Sequence, residues 1–240
     1  MEKYMSDMTL TLSKETTDTL KKLYEVNQGV KFVKSENTLK VKSTDNSLLV
    51  HANIEEEFPR DFYVYDLREF LSVVRIIDKP ILDFSNDKYV QIKSEDGTQK
   101  LRYIDADPQF VTSYVDKVPK LPSSDIEVAV TKDQFQSVMK AAQTMKLDFV
   151  GFVCDGEMIT LSAFNKNNGD DNQTNNFSIE LMDGDTEFEM FYKLDQQNIP
   201  VLLGEGDLDF TISEKKISNV KAESGKEFWI ALNANSKYGS

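Results

Sequence analysis

The sequence of 240 residues contains one histidine, one cysteine and one tryptophan, and this scarcity excludes several kinds of chemistry. With Cys154 as the only thiol, no disulfide can form within the chain, and a lone cysteine is most often buried. Because His51 is the only histidine, a catalytic Ser–His or Cys–His pair would have one candidate base, and a zinc ion would lack a full set of ligands. We therefore predict structural roles for Cys154 and His51, no metal site and no catalytic residues.

Long apolar runs and phosphate-binding loops are also absent. No apolar run approaches the roughly 18 residues of a membrane span, and residues 1–7 lack the apolar segment of a signal peptide. No stretch matches G-x-x-x-x-G-K-[ST], so no nucleotide cofactor is predicted. We interpret the adjacent acids at 55–57 and 170–171 as solvated loop residues rather than paired catalytic carboxylates. A soluble, cytoplasmic protein that is not an enzyme is expected.

Basic residues are few, since 28 Lys and Arg stand against 41 Asp and Glu for a net charge of −13. Taken alone, this negative net charge disfavours a nucleic-acid partner, because contacts with phosphates need Lys and Arg. The distribution of charge along the chain is more informative than the sum. The three predicted helices, at 14–28, 66–77 and 131–146, hold 8 basic and 6 acidic residues, and the rest of the chain holds 20 basic and 35 acidic residues. Mildly basic helices on an otherwise acidic protein would attract a phosphate backbone to the helix surface. For each helix taken alone, an ordinary solvent-exposed polar face is the alternative interpretation.

The helix predicted at 66–77 organises the first half of the chain. Asp66 is a candidate N-cap, and Glu69 is its capping-box partner. One apolar stripe follows at helical spacing: Leu67, Phe70, Leu71, Val74 and Ile77. Pro80 cannot continue the helix, and 81–84 alternates like a strand.

The other elements of this half follow from caps and alternation. Ser13 is a predicted N-cap for the helix at 14–28, with Gly29 at the C′ position. Strands are predicted at 30–34, 38–43, 48–53, 61–65, 81–84, 89–93 and 99–105. The segment 107–124, with three of the six prolines, is predicted to be an extended linker.

After this linker the pattern starts again. Thr131 and Gln134 predict a second capping box, at the helix 131–146. Strands are predicted at 126–130, 148–154, 158–164, 177–182, 186–192, 208–213, 216–222 and 228–232, with a polar loop at 165–176 and a short helix at 194–199. The order of elements repeats, and Ser13 and Thr131 stand 118 positions apart. An internal duplication of this length indicates two similar domains rather than a solenoid.

We therefore predict an α+β fold of two tandem domains with helices packed on antiparallel sheets. The predicted boundaries are an N-terminal extension at 1–8, domains at 9–106 and 125–235, the linker at 107–124 and a C-terminal tail at 236–240.

Several short motifs resemble one known family. Tyr65-Asp66-Leu67 followed by Phe70-Leu71, the turn Ala106-Asp107-Pro108 and the triplet Phe164-Asn165-Lys166 are similar in order and spacing to the T-even-type bacteriophage sliding clamp. The resemblance extends from Met8 to about Asn235. It implies the DNA clamp fold, with an architecture similar to that of proliferating cell nuclear antigen: three subunits, and so six domains, form a ring whose helices surround duplex DNA. The implied function is that of a non-catalytic processivity factor in the infected bacterial host.

The resemblance also implies three surfaces. Sequence-independent contact with DNA is expected at Lys14, Lys21, Lys22, Arg68, Arg75, Lys132, Lys140 and Lys146. Subunits of the homotrimer are expected to pair the strand 99–105 with 175–182 of the next copy, through Leu101, Tyr103, Asn175, Phe177 and Ile179. Peptide tails of the DNA polymerase, the clamp loader and other replication or late-transcription factors are expected in a pocket of Leu48, Val118, Leu121, Trp229, Ala231 and Leu232. For Trp229 alone, a core role in the last strand is equally compatible with the sequence.

Two other classes of function remain open. An acidic antiparallel-β interaction module without a DNA partner would share the predicted elements, and an enzyme is the third alternative. Oligomeric mass separates these readings, because a closed ring on this plan needs three chains and the others permit a monomer.

Overall fold

The computed structural model describes residues 8–166, 175–194 and 199–239. The chain divides into unit 1, which ends at Val118, and unit 2, which begins at Pro119. Most of the predicted N-terminal extension and of the polar loop at 165–176 lies outside the described residues. The same holds for positions 195–198 of the predicted short helix.

The described part of unit 1 contains two α-helices and eight strands. The helices are α1 (Lys14–Tyr24) and α2 (Leu67–Val74). The strands are β1 (Thr9–Leu10), β2 (Val30–Phe32), β3 (Thr38–Lys42), β4 (Leu48–Asn53), β5 (Phe62–Val64), β6 (Ile81–Asp83), β7 (Tyr89–Lys93) and β8 (Lys100–Ile104). Strands β1, β6, β7 and β8 form an antiparallel sheet in that order, and β3 pairs with β4 and β2 with β5.

Helix α1 is shorter than predicted and ends at Tyr24 rather than at 28. The Asn27 side chain explains the early end, because its amide donates to the carbonyl of Lys42 and its oxygen accepts the N–H of Gly29. Such side-chain bonds offer the backbone an alternative to the helix. Gly29 is therefore not a left-handed helix cap, and that prediction is wrong. A Cβ atom there would lie 3.3 Å from the carbonyl oxygens of Val64 and Tyr65.

The N-terminus of α1 is capped by a carboxylate from a loop that is distant in sequence. Ser13 is the N-cap, as predicted, and its hydroxyl accepts the N–H of Thr16. The carboxylate of Glu56 accepts the N–H of Ser13 and the hydroxyl of Thr16, which is fully buried. Glu56 was expected to be a solvated loop acid. It instead supplies a negative charge at the positive end of the helix dipole.

Helix α2 confirms the predicted cap and stripe. The Asp66 side chain accepts the N–H groups of Arg68 and Glu69. Buried side chains form the apolar stripe: Leu67, Phe70, Leu71, Val74 and Ile77. The helix ends at Val74, before Pro80, because the chain tightens in its last turn, where the N–H of Ile76 bonds to the carbonyl of Val73.

An aromatic cluster fills the core of unit 1. The rings of Phe32 and Phe58 stack with centroids 4.1 Å apart, and Phe62 meets Phe70 edge-on at 5.5 Å. The cluster continues to Tyr103 on β8, whose ring lies 5.1 Å from that of Phe70. Packed aromatic pairs of this kind stabilise a core beyond their buried area. The cluster therefore ties the outermost strand of the sheet to the helix above it.

Unit 2 repeats the same order of elements. It contains α3 (Lys132–Met145) and a short 3₁₀ helix (Ile199–Leu202). Its strands are β9 (Ile126–Val130), β10 (Phe149–Asp155), β11 (Met158–Phe164), β12 (Phe177–Asp183), β13 (Glu187–Lys193), β14 (Leu208–Ser213), β15 (Ile217–Ala222), β16 (Glu227–Ala231) and β17 (Lys237–Tyr238). The ladder β9–β14–β15–β16 matches β1–β6–β7–β8 of unit 1, so the predicted duplication is confirmed in topology.

The predicted capping box at α3 is confirmed. Thr131 accepts the N–H of Gln134, and the Gln134 side chain accepts the N–H of Thr131. Asp207 adds a further acceptor for the N–H of Lys132 at 2.7 Å. The apolar face of α3 packs on β10, β11 and β12, which places its polar face outward.

Two of the three segments predicted to lie outside the domains, the linker and the C-terminal tail, are partly packed. In the linker, residues 108–110 form a 3₁₀ turn, and the buried Ser113 hydroxyl donates to the carbonyl of Gly29. At the chain end, residues 237–238, assigned to a tail by the sequence, form β17 and pair with β13. The reason is that packing gives the backbone N–H and C=O groups of these segments hydrogen-bond partners that they would otherwise lack.

The cap at Glu56 gives a first prediction. Glu56→Ala removes the acceptor for the Ser13 N–H and the buried Thr16 hydroxyl, so the free energy of unfolding should fall by about 1–3 kcal/mol. Urea unfolding followed by circular dichroism measures this change. Glu57→Ala is the matched control, because Glu57 is exposed beside it. Equal loss in both variants would contradict the assigned cap.

Candidate functional site

Helices α1 and α2 share one exposed cationic surface in unit 1. Lys14, Arg68 and Arg75 are all exposed. A hydrogen bond from Lys21 lowers the pKa of the exposed Asp18 carboxyl, and the charges of Lys14 and Arg75 contribute, so α1 and α2 place these cations near one another. Arg68 marks the other end of the pair of helices, since its guanidinium lies 5.6 Å from the ring centroid of Tyr24.

Two of the predicted cations on α1 are already paired. Lys21 bonds to Asp18 at 2.5 Å, and Lys22 lies 3.0 Å from Glu25. Each pair joins residues three positions apart, so it leaves the charge of that part of the helix near zero. The cationic surface of unit 1 therefore consists mainly of Lys14, Arg68 and Arg75.

Helix α3 presents a second cationic surface in unit 2. Its polar stripe is exposed as predicted: Lys132, Gln136, Lys140 and Gln143. Lys146 follows as the helix C-cap in the left-handed region, with φ of 55°. In the described part of the chain, none of these three lysines forms an ion pair. Their charge is therefore available to an anionic partner.

The two sheets end in long edge strands where the sequence predicted a subunit contact. Strand β8 closes one edge of the sheet of unit 1, and β12 closes one edge of the five-stranded sheet β12–β11–β10–β13–β17. The opposite edges, β1 and β17, have two residues each, whereas β8 has five and β12 has seven. Short edges are a common protection against unwanted pairing, and long ones present open backbone groups to a partner.

The side chains of β8 alternate between packed and exposed. Leu101 and Tyr103 are half-buried, while Ile104 is 77% exposed. Burial against the aromatic cluster raises the pKa of the Tyr103 phenol to about 12, and the nearby charges of Glu69, Asp66 and Asp105 add to the effect. Tyr103 is thus held neutral at the edge of the sheet.

Strand β12 has the same alternation. Phe177 and Ile179 are half-buried, Met182 is 47% exposed, and Asn175 lies exposed before the strand begins. Sequence reasoning missed the apolar exposure of Ile104 and Met182. The signal was available, since both residues occupy the outward positions of strands that alternate.

An ion pair not anticipated from the sequence fixes the chain after β8. Arg60 donates two hydrogen bonds to the carboxylate of Asp105, and its guanidinium lies 5.3 Å from the ring centroid of Phe84. Arg60 and Asp105 are 14% and 15% exposed. Their separation of 45 positions leaves no local signal in the sequence.

The residues predicted for the peptide pocket differ in how far they are buried. In unit 1, Leu48 is buried and Val118 is half-buried. In unit 2, Trp229 is 7% exposed and stands opposite Asn219 in the β15–β16 ladder. Of the remaining residues, Leu232 is buried, Leu121 is half-buried and Ala231 is exposed. The burial of Trp229 fits the core role that the sequence left open, and the pocket remains a prediction.

Unit 2 contains a further pocket that the sequence did not predict. Its volume is about 740 Å³, and it lies beside α3. Its apolar lining consists of Met139, Ala142, Leu147, Leu194, Pro200 and Leu203.

Metal-binding clusters are not found in the described residues. No group of three or more His, Cys, Asp or Glu side chains in these ranges is arranged to hold a metal ion. Cys154 is free and buried, as expected, and His51 lies half-buried in β4. Among the described residues, no helix combines the length and apolar character that a membrane span requires.

Comparison with known proteins identifies the family. No protein-family model matches the chain. The sliding clamp of Vibrio phage KVP40 is 33% identical over 192 residues, which cover 78% of this chain and 85% of the relative. The chain belongs to the sliding clamp family. Two other phage clamps are similar to this one: that of Enterobacteria phage T4 is 23% identical over 155 residues, and that of Escherichia phage RB69 is 19% identical over 228 residues. The resemblance to the T-even-type clamp is therefore confirmed.

Solved structures show the same fold for this clamp. Proliferating cellular nuclear antigen from Entamoeba histolytica aligns with a TM-score of 0.64 at 14% identity, over 94% of this chain and 98% of that one. A putative DNA polymerase III beta subunit from Eubacterium rectale aligns with a TM-score of 0.67 at 13% identity, over 95% of this chain and 65% of that one. The predicted DNA clamp fold is thus confirmed for the subunit.

The packing of Tyr103 gives a second prediction. Its raised pKa means that its contribution to stability is complete below the ordinary pKa of roughly 10 and is lost as pH rises toward about 12. The difference in absorbance at 295 nm between wild type and Tyr103→Phe should therefore titrate near pH 12. In urea the same difference should titrate near roughly 10. If the absorbance difference of the folded protein titrated near pH 10 instead, the result would contradict the packing of Tyr103 against the aromatic cluster.

Proposed function

We propose that this clamp assembles as a homotrimeric ring around duplex DNA and tethers the replicative DNA polymerase for processive synthesis. The observation that carries the proposal is that α1, α2 and α3 expose cations although the chain has a net charge of −13. An acidic body repels DNA, so DNA is tolerated only where the helices face it. The ring itself does no chemistry.

In this proposal, retention on DNA comes from encirclement rather than from affinity. A few lysine and arginine contacts to phosphates are sequence-independent and weaken as salt rises. Such contacts let the ring slide, because they are the same at each position along the duplex. The exposed cations Arg68, Arg75, Lys132 and Lys140 carry this role, whereas the paired Lys21 and Lys22 contribute little.

Ring closure is assigned to the two long edges. Pairing β8 of one copy with β12 of the next satisfies open backbone groups on both strands and continues the sheet across the joint. Half-buried side chains on the two strands pack at the joint: Leu101, Tyr103, Phe177 and Ile179, with Asn175 beside them. Their partial exposure in one subunit is the feature that supports this assignment.

Partner proteins are proposed to bind through short peptide tails. The proliferating cell nuclear antigen of A. fulgidus, which aligns with a TM-score of 0.63 at 13% identity, was solved with the C-terminal region of FEN-1 bound. For this clamp we assign the corresponding role to the pocket of Leu48, Val118, Leu121, Trp229, Ala231 and Leu232. The polymerase, the clamp loader and other replication or late-transcription factors are the proposed ligands, in the cytoplasm of the infected bacterium.

Removing the exposed helix cations tests the contact with DNA. Replacement of Arg68, Arg75, Lys132 and Lys140 with Ala should leave the trimer intact but shorten the products of processive synthesis at raised salt. In direct binding to duplex DNA, the slope of log K against log salt should flatten by about 0.9 per lost phosphate contact. The measurements are sedimentation, primer extension with the cognate polymerase and loader, and a salt titration.

A variant with the same change in net charge is the control. Replacement of Lys34, Lys88, Lys221 and Lys237 removes four exposed lysines that lie outside the helices. Equal effects of the two quadruple variants would mean that net charge, rather than the helix surface, governs binding. No interaction of wild type with DNA would instead favour the protein-interaction module.

Leu121→Asp tests the peptide pocket. Burying a carboxylate in an apolar site is costly, so a labelled C-terminal peptide of the polymerase should bind at least about tenfold more weakly, as measured by fluorescence anisotropy. Leu203→Asp is the matched control, because Leu203 is a partly exposed leucine elsewhere in unit 2. Equal binding by wild type and Leu121→Asp, with both trimeric, would place the pocket elsewhere.

A further inference from the structure

The outward faces of β8 and β12 carry charges of opposite sign. On β8 the exposed residues are Lys100, Arg102 and Ile104, and on β12 they include Ser178, Glu180 and Met182. In the described part of the chain, neither Arg102 nor Glu180 forms an ion pair; the Arg102 guanidinium lies 4.9 Å from the ring centroid of Tyr89. Both charges are thus open to a neighbour.

The positions of these two residues in their strands are equivalent. Arg102 is the central residue of β8 (Lys100–Ile104), and Glu180 is the central residue of β12 (Phe177–Asp183). When two strands pair antiparallel with their centres aligned, the central residues stand directly opposite one another on the same face. Opposite charges in that position attract, and like charges repel.

Side-chain faces limit the alternatives. Strand β12 pairs regularly with β11 from Phe177 to Glu180, and its pairing is irregular between Glu180 and Met182. Within the regular part, a shift of one residue would turn the packed face of β12 outward, so we compare only shifts of two residues. One such shift sets Lys100 against Glu180 but moves Ile104 beyond the end of β12, to Asn176. The opposite shift sets Arg102 against Met182 and Ile104 against Glu180. Only the centred register joins Arg102 to Glu180, keeps all five residues of β8 within β12 and sets Tyr103 against Ile179.

We infer that Arg102 of one copy pairs with Glu180 of the next and that this ion pair fixes the register of the subunit joint. The inference rests on the ring proposed above and adds its specificity-determining residues. The apolar face of the two strands favours pairing but tolerates a shift of two residues. The charged face selects one of the three registers, because only the centred register places Arg102 opposite Glu180.

Charge reversal tests the pair. Arg102→Glu or Glu180→Arg alone sets like charges opposite each other at all three joints, so the concentration at which the trimer half-dissociates should rise by roughly tenfold or more. The double variant R102E/E180R restores opposite charges at each joint and should return to nearly wild-type assembly. Sedimentation across a range of concentrations measures all of these species.

The odd number of subunits gives a further check. In an equal mixture of the two single variants, a matched joint forms only between unlike chains. A ring of three cannot alternate, so one mismatched joint always remains. The mixture should therefore assemble less well than the double variant. Equal assembly by the mixture and the double variant would contradict pairing in a three-membered ring.

The alternative register and a general charge effect have their own controls. K100E/E180K restores opposite charges only in the register that sets Lys100 against Glu180. Lys34→Glu changes the net charge by the same amount at an exposed site outside β8 and β12. Trimer loss with Lys34→Glu, or rescue by K100E/E180K in place of R102E/E180R, would overturn the inference.

Disulfide trapping gives a readout that does not depend on the stability of the charge variants. Cys residues directly opposite in antiparallel strands have Cα atoms about 4.5–5.5 Å apart, within the range for a disulfide. The variant R102C/E180C should thus oxidise to a covalent trimer, and K100C/E180C should do so poorly. The reverse result would overturn the register, whereas a wild type that sediments as a monomer would refute the ring itself.

Discussion

The open backbone of the edge strands β8 and β12 is the constraint on which the rest of the structure depends. A strand of five to seven residues with unpaired N–H and C=O groups offers a template for pairing with another chain. In the two sheets that contain β8 and β12, the opposite edges are β1 and β17, which have two residues each. The fold supports β8 from behind, because the aromatic cluster packs Tyr103 against Phe70, and Arg60 holds Asp105 just past the strand.

Charge is distributed unevenly between the helices and the rest of the chain. The three predicted helix segments hold 8 basic and 6 acidic residues, whereas the rest of the chain holds 20 basic and 35 acidic residues. Some of those acids have structural roles, since Glu56 closes α1 and Asp207 accepts the N–H of Lys132 at the start of α3. Lys14, Arg68 and Lys132 lie in first helical turns, where the helix dipole disfavours positive charge. The carboxylates of Glu56 and Asp207 at the starts of α1 and α3 offset this effect.

Local rules were sufficient for a large part of this fold. The caps at Ser13, Asp66 and Thr131 and the stripes behind them depend on neighbours within one or two helical turns, and all three were predictable. The early end of α1 was not, because the Asn27 amide bonds to Lys42 on β3, which lies far along the chain. For the candidate surfaces, exposure of Arg68 or Lys140 followed from helical spacing. The pairing of Lys21 with Asp18 depended on side-chain geometry.

The sequence by itself determined the duplication, the order of helices and strands, the alternation of β8 and β12 and the separation of cations from acids. These features follow from residue spacing and composition, which are local. The tertiary structure alone decided that β8 and β12 lie at sheet edges, that Glu56 caps α1 and that Arg60 meets Asp105. Those facts join residues about 40 or more positions apart, and such contacts are set by how the sheets close rather than by any pattern along the chain.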